Sequence, residues 1–351
     1  MEGAVLDGVF SGGVLMASQH GDVLIHQAFG QADLTTGTPV SIRTVFDLAS
    51  LTKPLATTLA VLKLIEHAQL TLGHTLGDFM VPCRGTDKAE ISVRHLLYHN
   101  SGLPDYRPYF KELAAADPTR RRELILTRIL EEPLTSSIGE KVVYSDLGFI
   151  LLRGIVEIAS GSRLDDIVRH DIYCPLKLRD LFFVDVENPL SDDRFAATEN
   201  CPWRHTLIRG VVSDENAYVV GGVDGHAGLF GTAADVHRLL WEILGTYSGG
   251  PSHHIFHPDL LREFLDYGKG ADRALGFDRP AASASASGGG FSQNSVGHLG
   301  FTGTSFWMDL DRSIIVILLT NRVHPSRDNV KIQQFRPVLH DAVMEALLQG
   351  M

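Results

Sequence analysis

Two residue types with catalytic potential lie three positions apart in the motif Ser50-Leu51-Thr52-Lys53. On a helix this spacing places both side chains on one face, so that the hydroxyl and the amine can meet. A serine hydroxyl is a weak nucleophile at neutral pH and needs a neighbouring base. A lysine can be that base where burial or a nearby cation lowers its pKa. The motif is consistent with nucleophilic catalysis, although a helix cap beside a solvated lysine would show the same pattern.

Two further motifs carry groups that such a reaction needs. Tyr144-Ser145-Asp146 offers a phenol that can share a proton with Lys53 and pass it to a leaving group. His298-Leu299-Gly300 stands directly before Phe301 and a predicted strand. Glycine there lets the backbone approach a substrate, and a strand N–H can stabilise an oxyanion. Taken alone, each motif is also compatible with ordinary packing.

The surrounding elements indicate how these motifs are held. An alternating run over 12–30 predicts a β-hairpin, and apolar residues at helical spacing over 51–70 place the serine at or just before a helix N-terminus. Two strands, 304–309 and 313–319, and a helix over 330–348 follow near the end. Strands at both chain ends, with helices and loops between them, predict an α+β fold with a central antiparallel sheet flanked by helices.

A mainly helical region with active-site loops is expected to interrupt the sheet domain. The predicted division assigns 1–75 and 285–351 to the α/β sheet domain and 76–284 to the inserted region. Residues 198–231 are rich in Gly, Asn and Asp and predict a loop, and the low-complexity stretch 281–290 predicts a mobile surface loop. Further helices are predicted over 94–98, 118–130 and 148–159.

Composition narrows the classes of function. Asp and Glu number 42 against 31 Lys and Arg, and the net charge of −11 makes nucleic acid and anionic lipid poor partners. The three cysteines include no C-x-x-C pair, and we expect no metal site. No apolar run reaches the roughly 20 residues of a membrane helix. Since the N-terminus also shows no signal peptide, we expect no membrane partner and a cytoplasmic location.

The three motifs stand in the order and at the spacing typical of the serine β-lactamase and penicillin-binding-protein superfamily. That family is marked by S-x-x-K, by Y-x-N or a variant, and by K-T-G or H-x-G. The chain resembles its class C-like branch, which includes esterases, D-stereospecific aminopeptidases, DD-peptidases and cell-wall amidases. The likeness spans about residues 8–345. Flanking segments that share it are Phe46-Asp47-Leu48-Ala49, the run 96–104 (LLYHNSGLP) and the run 225–232 (GHAGLFGT).

The resemblance implies a role for each motif. Ser50 would be the acylated nucleophile, and Lys53 and Tyr144 would share the general-base work and then protonate the leaving group. The backbone N–H groups of Ser50 and Phe301 would form the oxyanion hole. No cofactor is implied, since acyl transfer needs only these groups. Residues expected to contact the substrate are Asp146, His298, Leu299 and Gly300.

Two residues depart from the family's pattern. Asp146 replaces the Asn of Y-x-N, and a carboxylate there would raise the pKa of Lys53. Lys53 would then be a poorer base, and Tyr144, as phenolate, a better one. His298 replaces the lysine that β-lactamases use to bind a substrate carboxylate, and a neutral imidazole attracts that group less. Both changes favour an ester or amide substrate, so penicillins and cephalosporins are expected to be slow substrates.

The leading hypothesis is a serine hydrolase that acts through an acyl-enzyme on small esters, amides or peptides. A recycled cell-wall fragment such as a muropeptide amide is a candidate substrate. A β-lactamase or a D-amino-acid peptidase of the DD-carboxypeptidase type would use the same machinery. A non-catalytic binding protein of the same fold is the alternative of another class, although loss of Ser50, Lys53 or Tyr144 would be its signature and all three are present. The oligomeric state is left open.

Overall fold

A computed structural model describes residues 1–281 and 285–349. Its strands are β1 (Gly12–Gln19), β2 (Asp22–Asp33), β3 (Thr38–Pro39), β4 (Phe46–Asp47), β5 (Leu181–Phe183), β6 (Ala197–Cys201), β7 (Thr206–Arg209), β8 (Leu229–Gly231), β9 (Arg273–Ala274), β10 (Phe277–Asp278), β11 (Ser295–Leu299), β12 (Ser305–Asp309) and β13 (Ile314–Thr320). Its α-helices are α1 (Glu2–Leu6), α2 (Thr58–Glu66), α3 (Leu76–Phe79), α4 (Val93–Leu97), α5 (Phe110–Leu113), α6 (Arg121–Glu131), α7 (Asp146–Ser160), α8 (Leu164–Val168), α9 (Glu215–Val219), α10 (Ala233–Ser248), α11 (Pro258–Asp266) and α12 (Ile332–Gln349).

The main sheet joins the two ends of the chain. Its strands lie in the order β3, β2, β1, β13, β12, β11, β10, β9, and neighbours pair antiparallel. β1 pairs with β13 from Gly13 opposite Thr320 to Gln19 opposite Ile314. β13 is buried throughout, as its unbroken apolar run predicts for a central strand. The predicted α+β fold with a central antiparallel sheet is confirmed.

Helices cover both faces of this sheet. Because side chains alternate along a strand, β13 sends Ile315, Ile317 and Leu319 into a large core shared with α2, α7 and α10. The residues between them, such as Val316, enter a smaller core under α12 and α1. The site described below lies at the edge of the larger core, where β11, β4 and α7 meet.

α7 is the buried helix that presents the second motif to the site. Every residue from Leu147 to Val156 is buried, as expected for a helix that is apolar on nearly all sides. The side chain of Ser145 caps the helix by accepting the N–H of Gly148 at 3.3 Å. The same hydroxyl donates to the carbonyl of Pro104 at 2.6 Å, which anchors the start of α7 to the loop after α4.

The predicted elements agree with the structure except in two places. The helices α4, α6 and α7, the first hairpin, β12, β13 and α12 lie where the patterns put them. The loop predicted over 198–231 is wrong in part, because it contains β6, β7, α9 and β8. β8 is held between β4 and β5, neighbours remote in sequence that no local pattern reveals. The helix predicted over 51–70 ends at Glu66, and its first turns are irregular.

Part of the predicted inserted region belongs to the main sheet. The two short strands β9 and β10 extend the main sheet from within the predicted insertion. The division into 1–75 with 285–351 and 76–284 stays a prediction. Of the stretch 281–290, residues 282–284 lie outside the described residues, and the predicted mobility stays a prediction. The N–H groups of Gly289 and Gly290 bond the Asp341 carboxylate on α12, at 2.7 and 2.9 Å.

Candidate active site

Ser50 lies in a tight turn between β4 and α2. A 3₁₀ turn over Ala49–Leu51 leads into a π-helical turn over Lys53–Thr57, which continues as α2. The serine is therefore inside the first helical turn and is not its cap, because the cap position belongs to Leu48. Ala49 adopts a φ of 48°, a left-handed conformation that L side chains rarely take. The residue before the serine is thus held in an unfavourable backbone conformation.

The predicted serine–lysine pair is in contact. The Nζ of Lys53 lies 3.1 Å from the Oγ of Ser50 and 2.7 Å from the Oδ1 of Asp146. It also donates to the backbone carbonyl of His226 at 3.4 Å. Lys53 is fully buried, and the side chain of Asp146 is 20% exposed. The amine thus has the carboxylate on one side and the serine hydroxyl on another.

Tyr144 completes this cluster. Its hydroxyl faces the side chains of Lys53 and Ser50, and both of them act to lower its pKa. The Lys53 amine also lies 4.6 Å from the centre of the Tyr144 ring. The ring stacks on His99 at 4.7 Å, and the Nδ1 of His99 accepts the Ser145 N–H at 3.0 Å. His99 is buried, so it acts as packing that fixes the orientation of the phenol.

The charges of the cluster favour protons on both basic groups. Burial alone would lower the pKa of Lys53, but Asp146 and Tyr144 outweigh it and raise that pKa above its ordinary value. Burial, assisted by Asp146, also raises the pKa of Tyr144 despite the opposing effect of Lys53. The predicted effect of Asp146 on Lys53 is therefore found. A resting phenolate at Tyr144 is not found, because burial and Asp146 disfavour a negative charge on its oxygen.

The third motif forms the facing wall and is tied to the serine turn. The hydroxyls of Thr302 and Thr304 donate to the carbonyls of Asp47 and Leu48, at 2.7 and 3.1 Å. The His298 ring lies 5.9 Å from that of Tyr144. Burial lowers the pKa of His298 to about 4, and its Nδ1 lies 2.8 Å from the Leu299 carbonyl. His298 is accordingly neutral at pH 7, with Nδ1 as the donor.

A partly buried ion pair forms the opposite wall. The Nε2 of His226 lies 2.9 Å from the Oδ1 of Asp214, and both residues border the cleft. Burial would lower the pKa of His226, but the pairing with Asp214 prevails and raises it to about 9. Asp214 keeps its charge, since His226 offsets the effect of burial and leaves its pKa at about 2. His226 is therefore an imidazolium at neutral pH.

Four arginines border the same cleft. Arg273 pairs with Asp278, and Arg327 pairs with Glu199 and Glu215. The remaining two, Arg322 and Arg336, bond backbone carbonyls, and Arg336 reaches those of Gly300 and Thr304 at 2.9 Å each.

Of these four arginines, Arg336 has the charge that its neighbours compensate least. It is 6% exposed, its Nε has no hydrogen-bond partner, and it has no carboxylate partner within the described residues. Burial, assisted by Arg322, lowers its pKa to about 10, so it stays charged at neutral pH. The cleft thus offers an anionic group a cation that His298 does not supply.

The cleft between these walls has a volume of about 640 Å³, and every predicted site residue except the buried Lys53 lines it. Within the described part of the chain, the backbone N–H groups of Ser50 and Phe301 donate to no protein acceptor. Phe301 is half exposed at the rim. The geometry thus brings the three motifs together with two N–H donors that remain available to a ligand.

One cluster with metal-ligating atoms lies near the cleft. Glu199, Cys201 and Glu215 bring donor atoms within 4.8 Å of one another. The Arg327 guanidinium already bonds both carboxylates, with distances of 2.5–2.8 Å. The cluster is therefore an ion-pair site, and the expectation of no metal stays a prediction.

Comparison with known proteins decides the family. The Beta-lactamase family model matches residues 1–336 of this chain. The chain belongs to the Beta-lactamase family. The resemblance stated from the three motifs is thereby confirmed.

Relatives of this Beta-lactamase family member carry the names of cell-wall hydrolases. An N-acetylmuramyl-L-alanine amidase of Bacillus subtilis (strain 168) is 30% identical over 347 residues, which cover 90% of this chain and 78% of the relative. A putative D-alanyl-D-alanine carboxypeptidase of Escherichia coli (strain K12) is 31% identical over 326 residues, covering 87% and 73%. Family and relatives together make the chain a hydrolase.

Solved structures agree on the fold. EstCE1, a hydrolase with promiscuous acyltransferase activity, superposes with a TM-score of 0.71 at 24% identity, covering 95% of this chain and 96% of its own. A penicillin-binding protein from Bacillus halodurans gives 0.71 at 20% identity, covering 96% and 98%. Among the described residues, no helix combines the length and apolar character needed to cross a bilayer. The cytoplasmic location stays a prediction.

The motifs alone did not reveal several residues of the cleft. Asp47 stands in the segment that carried the resemblance, and Asp214 lies in the predicted loop over 198–231, so both had a weak signal. The pairing of Asp214 with His226 had none, because it depends on the folded shape of that loop. Arg336 had none either, because only the docking of α12 under the sheet brings it to the third motif.

Proposed function

We propose that this hydrolase forms an acyl-enzyme at Ser50 and cleaves ester or amide bonds of small substrates, cell-wall-derived peptides among them. The observation that carries the proposal is the 3.1 Å contact between the Ser50 hydroxyl and the buried Lys53 amine, with the Tyr144 hydroxyl facing both. A nucleophile within hydrogen-bonding reach of a base, and a third group that orients the base, is the arrangement that nucleophilic catalysis requires.

The proton inventory sets the order of events. Lys53 as ammonium and Tyr144 as phenol cannot accept the Ser50 proton, so the pair first loses one proton to solvent. Because the two groups interact, that loss belongs to the pair and not to either residue. The pair then takes the serine proton during attack on the carbonyl and returns it to the leaving group. A water molecule uses the same pair to hydrolyse the acyl-enzyme.

The oxyanion of the tetrahedral intermediate is assigned to two backbone donors. The N–H groups of Ser50 and Phe301 flank the cleft and have no protein acceptor among the described residues. Loss of one such donor typically costs about 2.7–4 kcal/mol in the transition state. In this proposal Asp146 orients Lys53, and His298, Leu299 and Gly300 contact the substrate from the strand side.

A cell-wall fragment is the substrate class that the comparisons favour. The relatives are named for amides of muramic acid and for D-alanyl-D-alanine peptides. Arg336 supplies a cation for an anionic group of such a fragment. The neutral His298 argues against tight binding of a β-lactam carboxylate at the third motif itself. An amide of a muramoyl peptide is accordingly the first substrate to test, and a peptide ending in D-alanyl-D-alanine the second.

Burst kinetics test the proposal. With a short-chain nitrophenyl ester, rapid acylation should release a burst of nitrophenol equal to the enzyme concentration, followed by slower turnover. Ser50→Ala should show neither phase, whereas Ser162→Ala, at an exposed serine beyond α7, should match the wild type. Turnover by Ser50→Ala at the wild-type rate would refute the proposal. Product analysis on the two cell-wall substrates then separates an amidase from a carboxypeptidase.

A further inference from the structure

Asp47 is a buried carboxylate beside the serine turn that has no part in the proton transfers above. It ends β4, is 3% exposed and borders the cleft. Its Oδ1 accepts the N–H of Ala49 at 2.9 Å, and its Oδ2 accepts the N–H of Ser213 at 2.8 Å. One oxygen therefore holds the left-handed residue that precedes Ser50, and the other holds a segment remote in sequence.

Both segments position groups that border the cleft. The conformation of Ala49, with its φ of 48°, sets where the Ser50 N–H points. Ser213 is followed by Asp214, the partner of His226, so its position helps to set the opposite wall. Arg204 bonds the carbonyls of Val212 and Ser213, so the 212–214 segment is held on its carbonyl side as well as through the Ser213 N–H. The carboxylate thus bridges the serine turn and the 212–214 segment.

The ionised form of Asp47 suits both contacts. A carboxylate accepts at both oxygens, whereas a protonated carboxyl would set an O–H donor against one of the two N–H donors. Burial raises the pKa of Asp47 to about 6 against the opposing effect of those N–H groups. The charged groups that face it are Asp214, which raises this pKa further, and Arg204, which lowers it.

We propose that Asp47 is a positioning residue for the reaction at Ser50: its carboxylate clamps the serine turn to the 212–214 segment and aims the Ser50 N–H at the oxyanion. The inference rests on the proposed function, because it needs Ser50 as the nucleophile. When Asp47 is neutral, the turn relaxes and the oxyanion donor is misplaced. A displacement of about 1 Å can cost about 100-fold in rate.

The test compares Asp47→Asn with the wild type on a nitrophenyl ester. The side chain keeps its shape but can accept only one of the two N–H groups, so kcat should fall about 10–100-fold while KM changes less than about threefold. Asp309→Asn is the matched control, since that carboxylate is also buried, also accepts backbone N–H groups and ends β12 at the side away from the third motif. Its kcat should equal that of the wild type.

The pH profile separates positioning from a merely structural role. In the wild type, the fall of log kcat/KM with decreasing pH should steepen from a slope of about one to about two below pH 6, where Asp47 also takes up a proton. Asp47→Asn should keep a slope of about one. Adding Ala49→Gly to Asp47→Asn should restore part of kcat, because glycine adopts the left-handed conformation without help.

Each outcome decides the inference. Wild-type kcat with an unchanged profile in Asp47→Asn, while Ser50→Ala is inactive, would overturn the role of Asp47 alone. Full activity of Ser50→Ala would overturn the proposed function and this inference with it. If Asp47→Asn does not fold, the wild-type profile decides, since a constant slope through pH 6 would contradict the proposal and a steepening would support it.

Discussion

Replacing Asp146 by asparagine removes a negative charge 2.7 Å from the Lys53 amine and restores the Asn of the family's Y-x-N pattern. The carboxylate favours the protonated forms of both Lys53 and Tyr144. Whichever of the two donates the first proton, its pKa should therefore fall in Asp146→Asn. The direction of the effect does not depend on which residue is the base.

The distance gives the size of the effect. At 2.7 Å and an effective dielectric constant of about 20, the attraction between the two charges is worth about 6 kcal/mol before solvation is counted. Solvation of the freed amine and reorganisation reduce this, and an opposite charge at such a distance commonly moves a pKa by about 1–3. We expect the limb on which kcat/KM rises with pH to shift to lower pH by about 1–3 pH units.

The assay is the pH dependence of kcat/KM on a nitrophenyl ester from pH 5 to 10 at constant ionic strength, with the uncatalysed rate subtracted. Asp309→Asn controls for the loss of a buried carboxylate elsewhere and should leave the limb in place. A limb that stays in place or moves to higher pH in Asp146→Asn would refute the electrostatic reasoning.

Stability supplies an independent check on Asp146→Asn. Leaving a buried charge without its partner costs about 3–5 kcal/mol, and the fully buried Lys53 can avoid part of that cost by releasing its proton. The folded protein then binds fewer protons than the unfolded chain, so the stability of the variant relative to the wild type should improve as pH rises. Thermal unfolding at pH 6 and pH 9 measures this difference, and an equal deficit at both values would contradict it.

Three further outcomes are expected. Arg336→Gln should raise KM about tenfold for substrates with a carboxylate beside the scissile bond, since this is the value of one charged hydrogen bond. It should leave KM for neutral esters unchanged. Equal effects on both kinds of substrate would contradict the anion-binding role of Arg336. A chromogenic cephalosporin should turn over far more slowly than short-chain esters in parallel assays, and matching rates would overturn the argument from His298. Gly225→Ala should lower the midpoint of thermal unfolding, because the new Cβ would lie 2.0 Å from the Phe149 carbonyl, whereas Gly3→Ala, with open space around it, should not.

Sequence patterns located the three motifs because each depends on local order. The Ser50–Lys53 contact follows from spacing along a helix, and the buried strand β13 from its apolar run. The irregular winding over Lys53–Thr57 could not be seen in the periodicity. It is accompanied by a tertiary contact, the Thr57 hydroxyl on the carbonyl of Gly225 at 2.7 Å.

Contacts between remote segments account for what the sequence did not reveal. Asp47 meets Ser213, and His226 meets Asp214, only after loops of unpredicted shape have folded. The proton balance of the site has the same origin. The expectation of a phenolate at Tyr144 considered Lys53 and Asp146 but not burial, which is the largest influence on that pKa.

The central claim is that Ser50 is an activated nucleophile, and intact-mass spectrometry after fluorophosphonate treatment tests it most directly. The wild type should gain the mass of one phosphonyl group, and Ser162→Ala should do the same. Ser50→Ala should gain none under identical conditions. An adduct of equal yield on Ser50→Ala, or no adduct on wild-type protein that hydrolyses esters, would contradict the assignment.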